Sequence, residues 1–136
     1  MIFINVGGEM YSQNVTEFRP RMAESLLKQM LSSIPVIMLT GPRAIGKSTL
    51  ARRFANSELD LDNPQTVSYL EKSNYEELET LEKPVLIDEW QKSPGILSKI
   101  KRLVDENPAK GQFLITGSAS SVADEEIWPL VGRAAF

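Results

Sequence analysis

Val36-Ile37-Met38-Leu39-Thr40-Gly41-Pro42-Arg43-Ala44-Ile45-Gly46-Lys47-Ser48-Thr49 is the stretch whose reading decides the fold. Five mostly apolar residues, Val36 to Thr40, run straight into Gly-x-x-x-x-Gly-Lys-Ser, and an amphipathic helical pattern follows. Strand, glycine-bounded turn and helix, in that order, form the setting in which this pattern cradles phosphate. Gly41 and Gly46 let the backbone turn tightly and approach an anion with no Cβ in the way. The amide N–H groups of Ala44, Ile45, Gly46, Lys47 and Ser48 are expected to face the concavity, aided by the positive end of the following helix. Lys47 is expected to reach β- and γ-phosphates, and Ser48 to offer its hydroxyl to Mg²⁺. Pro42, Arg43 and Thr49 complete the candidate loop. The competing reading is a glycine-rich strand–helix connection that binds nothing.

The rest of the chain bounds what such a loop can serve. Its 136 residues fit one domain, and a composition of 42% hydrophobic and 24% charged residues is that of an ordinary globular protein. A net charge of −3 gives no overall electrostatic footprint for nucleic acid. There is no cysteine and no histidine. Disulfides, thiolate metal sites and histidine-based acid–base chemistry are therefore excluded. Catalysis would have to use carboxylates, Lys, Arg, hydroxyls and a bound metal ion. No apolar run reaches membrane-spanning length. The stretch Met1 to Val6 lacks a positively charged lead-in and is cut short by Gly7-Gly8, so a cytoplasmic location is expected.

Residues 1 to 18 resist placement: Met1 to Val6 reads as a short strand, an expression remnant or a spurious start. A helix is expected from about Arg19-Pro20-Arg21, with Met22, Leu26, Leu27, Met30 and Leu31 at helical spacing. Pro35 ends it, and Val36 to Thr40 is apolar throughout, as a strand covered on both faces should be. Lys47 to Ala55 reads as a helix, Leu59 to Leu61 as a short strand, and Asp62-Asn63-Pro64 as the cap of a helix over 65–71. Tyr75 to Leu81 reads as a further, acidic helix with a solvated face. Val85 to Ile87 is a strand, Ser93-Pro94 caps a helix running to about Glu106, and Gln112 to Thr116 is another buried strand. A weak helix over 118–131 and the start of a strand at Gly132 complete the pattern. Strands alternating with helices predict an α/β domain with a mainly parallel sheet. In such sheets ligands bind at the carboxyl ends of the strands.

Three polar clusters fall at those ends. The first is the loop. The second is Asp88-Glu89, closing the apolar run Val85-Leu86-Ile87. Asp88 supplies a carboxylate for Mg²⁺. Glu89 is suited to orient and polarise a water against a γ-phosphate, which in-line attack requires. The third is Thr116-Gly117-Ser118. The Thr116 hydroxyl either bonds the attacking water or γ-phosphate, or satisfies its own turn. Gly117 reads as turn chemistry. Arg133 is either a group that stabilises developing phosphate charge or a surface arginine.

These segments resemble a large prokaryotic group of AAA-type P-loop ATPases. Gly41 to Leu50 resembles its Walker A segment, and Val85-Leu86-Ile87-Asp88-Glu89-Trp90-Gln91 its Walker B segment. Phe113 to Ser120 is similar to its sensor strand, and Leu130-Val131-Gly132-Arg133-Ala134 to its L-x-G-R-A signature. The likeness covers about residues 19 to 136. It implies a P-loop NTPase three-layer sandwich of the additional-strand type, with the sensor strand between the Walker A and Walker B strands. It implies ATP as the nucleotide, and Thr116 beside both phosphate and metal. It also implies that the chain stops before the last core strand of that group and before its usual C-terminal domain of unknown function. The glutamine common in the group at the Ala44 position is absent, but only backbone is needed there.

The reading that results is Mg²⁺-dependent ATP binding and hydrolysis. In it Lys47 neutralises phosphate charge, Ser48 and Asp88 hold the metal, Glu89 activates water, and Thr116 senses the γ-phosphate. Arg133 is carried as a further candidate, and a homo-oligomer or a C-terminal domain as a candidate partner. The alternatives are a P-loop small-molecule kinase and a non-catalytic nucleotide-binding or interaction fragment. Adjacent Asp88-Glu89 argues against the kinase, because kinases exclude water rather than activate it.

Overall fold

The structure is a computed structural model and describes residues 2–5, 16–17, 20–41 and 47–118. In chain order its elements are β1 (Ile2–Asn5), β2 (Thr16–Glu17), α1 (Pro20–Leu31), β3 (Val36–Gly41), α2 (Lys47–Arg52), β4 (Ser57–Asp60), α3 (Pro64–Lys72), β5 (Val85–Asp88), α4 (Ile96–Glu106) and β6 (Phe113–Ser118). Short 3₁₀ turns occupy Glu76–Glu79 and Trp90–Lys92.

Strand side chains alternate between faces, and here both faces are apolar. Val36 and Met38 of β3, Val85 and Ile87 of β5, and Phe113 and Ile115 of β6 point to one side. There they meet Leu70 of α3 and Ile96, Leu97, Ile100 and Val104 of α4. Ile37, Leu39, Leu86 and Leu114 point to the other side, against Leu27 of α1 and Ala51 of α2. Two separate cores on one sheet make the three-layer α/β sandwich expected from the sequence. Leu26, Met30, Leu50, Phe54 and Ala55 pack around the second core, as their helical spacing predicts.

Among the described residues the sheet has six strands in the order β2-β1-β3-β6-β5-β4. Every ladder is parallel. Strand β6 thus enters between β3 and β5, where the resemblance puts the sensor strand. The register sets Leu39 beside Thr116 and Ile87 beside Ile115. The ends of β3, β5 and β6 therefore finish level. The N-terminal stretch supplies β1, which pairs along the outer edge of β3 from Ile2↔Ile37 to Asn5↔Thr40.

Several boundaries differ from the sequence reading for local physical reasons. Helix α2 stops at Arg52 rather than Ala55. The amides of Phe54 and Ala55 both donate to Ala51 O, at 3.0 and 3.1 Å, which tightens the chain out of the helix. Asn56 N–H then reaches Pro84 O at 2.8 Å and begins the β4–β5 pairing. The helix expected over Tyr75–Leu81 is only the Glu76–Glu79 turn. Asn74 and Tyr75 precede it with φ of 54° and 59°, left-handed values that no helix continues through. The acidic side chains Glu76, Glu79 and Glu82 are exposed, as expected.

Helix α3 is capped as the sequence predicts, with Asn63 Oδ1 accepting from Gln65 N–H at 3.0 Å and Pro64 in the first turn. Helix α4 is not capped by Ser93. Gly95 sits at its N-cap with no side-chain bond. Ser93 is buried and instead donates its hydroxyl to Glu71 Oε1 at 2.9 Å while lying 2.6 Å from the Tyr75 hydroxyl. The weak helix over 118–131 and the strand start at Gly132 lie outside the described residues.

Leu114 is fully buried on the central strand β6. Leu114→Ala should lower stability by about 2–5 kcal/mol. This would appear as a lower urea midpoint with an unchanged slope, and an unshifted midpoint would contradict the packing described.

Candidate functional site

Strand β5 delivers Asp88 and Glu89 to the carboxyl edge of the sheet, and both are buried, at 7% and 5% exposure. Buried carboxylates need partners. Asp88 Oδ1 has two. Ser48 Oγ, in the first turn of α2, lies 2.5 Å away, and Thr116 Oγ1, on β6, lies 2.6 Å away. An ionised carboxylate can only accept, so both hydroxyls donate to it. Each hydroxyl oxygen keeps lone pairs for another group. Thr116 spends one on Glu89 N–H, at 3.1 Å. Thr116 therefore does not simply satisfy its own turn: it bridges the two adjacent acids. On the other side of Asp88, Oδ2 lies 3.8 Å from Arg52.

Lys47 is 3% exposed, and its ammonium donates to Gly117 O at 2.9 Å. It thus stands at the end of β6, close to Thr116. Arg52, by contrast, is half exposed and grips Glu58 of β4 through Nε at 2.9 and 3.0 Å and through Nη2 at 2.8 Å. The hydrogen bond to Glu58 raises the Arg52 pKa above its ordinary value, so this guanidinium stays charged beside Asp88.

Glu89 adopts φ 61° and ψ 59°. The left-handed region costs a non-glycine residue roughly 1–2 kcal/mol, and such outliers concentrate at functional sites. The turn re-aims the chain at once into Trp90–Lys92, and Gln91 Nε2 returns to donate to Glu89 Oε2. Trp90 is fully buried, and its indole lies against Gly117. A Cβ at Gly117 would lie 2.7 Å from Trp90 Cδ1 and nearer still to Nε1. Gly117 is thus a close-approach glycine inside a strand, not a turn residue. Nothing in the order of residues could have announced that contact. Trp90 Nε1 has no hydrogen-bond partner among the described residues.

The structure therefore brings together Lys47, Ser48, Asp88, Glu89 and Thr116, all singled out in the sequence. Gly41 ends β3, paired with Ser118. The Thr49 side chain is exposed. Pro42, Arg43, Ala44, Ile45, Gly46 and Arg133 lie outside the described residues. As a donor set, the Ser48 hydroxyl and the Asp88 carboxylate are hard oxygen ligands of the kind Mg²⁺ takes. Among the described residues no group of three or more acidic side chains could hold a metal ion by itself. A metal here would draw further ligands from phosphate or water, as Mg²⁺ usually does.

A parallel α/β sandwich with lysine, hydroxyls and paired acids at the strand ends defines a phosphate-handling domain of the P-loop class. Comparison with known proteins places it further. Residues 33–136 match the model of the family described as AAA domain, and the chain belongs to that family. Its class is that of nucleotide-binding, ATPase-type P-loop domains. Two uncharacterized mycobacterial proteins, one from Mycobacterium bovis and one from Mycobacterium tuberculosis, are each 36% identical over 104 residues. The match takes in 74% of this chain but spans only 23% of each relative. Among the described residues no helix is long and apolar enough to cross a membrane.

Gly117→Ala should force Trp90 or the end of β6 to shift and cost about 1–3 kcal/mol. Chemical denaturation checks this, and wild-type stability in the variant would show that the indole does not press on Gly117.

Proposed function

We propose that this domain binds ATP with Mg²⁺ at the carboxyl ends of β3, β5 and β6 and hydrolyses it. The observation that carries the proposal is the convergence of Ser48 and Thr116 on Asp88 Oδ1, with Lys47 and Glu89 flanking it. Three strands and a helix start meet there, and membership of the AAA domain family supports reading that meeting as a nucleotide site.

The residues take these roles. The backbone of Gly41, Pro42, Arg43, Ala44, Ile45, Gly46, Lys47, Ser48 and Thr49 wraps the phosphates. Lys47 leaves Gly117 O for the phosphate oxygens, whose negative charge is the stronger acceptor. Ser48 and Asp88 would hold Mg²⁺, Ser48 through a lone pair and Asp88 through its carboxylate, and the ion would supply neutralisation of phosphate charge. Glu89 accepts a proton from the attacking water.

Thr116 acts by holding rather than by donating to phosphate. Its single hydrogen is committed to Asp88. A phosphate oxygen has no hydrogen to give it, whereas a water does, so what Thr116 can meet on the phosphate side is the attacking water. Arg133 is the candidate for stabilising developing charge, in cis or toward a neighbouring chain. What the hydrolysis drives belongs to the whole protein and its partners.

Glu89→Gln should bring ATP turnover to background while nucleotide affinity survives, and Lys47→Ala should weaken nucleotide binding itself. Phosphate release and equilibrium binding read the two effects. Undiminished turnover in Glu89→Gln would overturn the hydrolytic assignment.

A further inference from the structure

Glu89 is the proposed base, and a base works only when its lone pair is aimed at the water. The side chain that aims it is not among the residues already given a role. Gln91 stands two residues on, in the short turn Trp90–Lys92, and its Nε2 donates to Glu89 Oε2. Gln91 is itself only partly exposed. Its Oε1 is buried and lies 3.2 Å from the position a Cβ would take on Gly117. The amide is therefore held between the Glu89 carboxylate and the end of β6. Glu89, in turn, is fixed through its backbone by Thr116, at 3.1 Å from its N–H, and by its left-handed φ of 61°.

We propose that Gln91 is a positioning residue for hydrolysis: its side-chain amide fixes the Glu89 carboxylate in the orientation that receives the water's proton. The inference rests on the hydrolytic reading above. Its logic is that of any base held by a third group: nucleophile to base, base to orienter. A carboxylate on a freely turning side chain meets the water in few of its rotamers. The amide bond to Oε2 restricts how the carboxylate can turn. Gln91 is neutral, so it orients Glu89 without adding a charge that would compete with the metal or Lys47. The left-handed turn at Glu89 is what allows a residue only two positions later to reach back to it.

The test compares Gln91→Met, which keeps size but removes the amide, with Gln91→Glu, which keeps shape but sets a second carboxylate against Glu89. Steady-state ATP turnover, affinity for a non-hydrolysable ATP analogue and thermal melting are measured in the full chain with Mg²⁺. The positioning role predicts that Gln91→Met lowers kcat roughly tenfold to a hundredfold while analogue affinity and KM stay near wild type. It also predicts that Gln91→Glu is slower than Gln91→Met. A packing role predicts the reverse order, because Glu matches Gln in shape better than Met does. Gln91→Ser, which removes the amide without adding charge, stands in if either variant fails to fold, and the same loss of kcat at unchanged affinity is expected.

Unchanged kcat in Gln91→Met or Gln91→Ser, alongside an inactive Glu89→Gln, overturns the role of Gln91 and leaves the hydrolytic reading standing. A loss of analogue affinity equal to the loss of turnover also overturns it. A wild-type chain that binds nucleotide without turning it over removes both readings together.

Discussion

One carboxylate oxygen organises the functional end of this domain. Asp88 Oδ1 receives hydroxyls from Ser48, at the start of α2, and from Thr116, on β6. For both to arrive, β6 must run between β3 and β5, and all three strands must point the same way. Antiparallel insertion would send Thr116 to the opposite edge. The parallel ladders and the pairing of Leu39 with Thr116 and Ile87 with Ile115 meet that requirement. The apolar alternation of the same strands, buried on both faces, fixes the register, because a one-residue slip would exchange the two cores.

Around that oxygen the structure holds charge that a simple core would exclude. Lys47, Asp88 and Glu89 are all nearly buried. Removing such groups from water is costly unless they are paired. Their partners include two hydroxyls, a backbone carbonyl and a side-chain amide. Arg52 adds a fixed positive charge at the rim, already anchored to Glu58.

Much of this was legible in the sequence, for reasons that differ between residues. The loop pattern, the apolar run ending in Asp88-Glu89 and the hydroxyl at Thr116 are local signals, each read within one strand and its exit. Asn63-Pro64 was equally local, and the cap formed as read. What escaped was non-local or conformational. Gly117 read as a turn because a glycine's close neighbour cannot be seen from its own flanks. Ser93 read as a cap because Ser-Pro before a helix usually is one, but burial beside Tyr75 and Glu71 claimed its hydroxyl. The acidic segment after Tyr75 had helical spacing, yet two left-handed residues, Asn74 and Tyr75, restrict it to one turn. The Gln91 contact escapes a sequence reading because it depends on the unusual φ of Glu89.

The AAA domain family supplies the functional class, and the geometry of Asp88 supplies the reason this chain fits it. The function proposed for this chain requires that the hydroxyl–carboxylate cluster, once loaded with Mg²⁺, supports cleavage of the terminal phosphate bond of ATP. Orthophosphate release from ATP by the unmodified chain, followed with Mg²⁺ present and then with the metal chelated, tests this most directly. Steady release that stops on chelation is the predicted result; no release with Mg²⁺ present, or release indifferent to its removal, would contradict it.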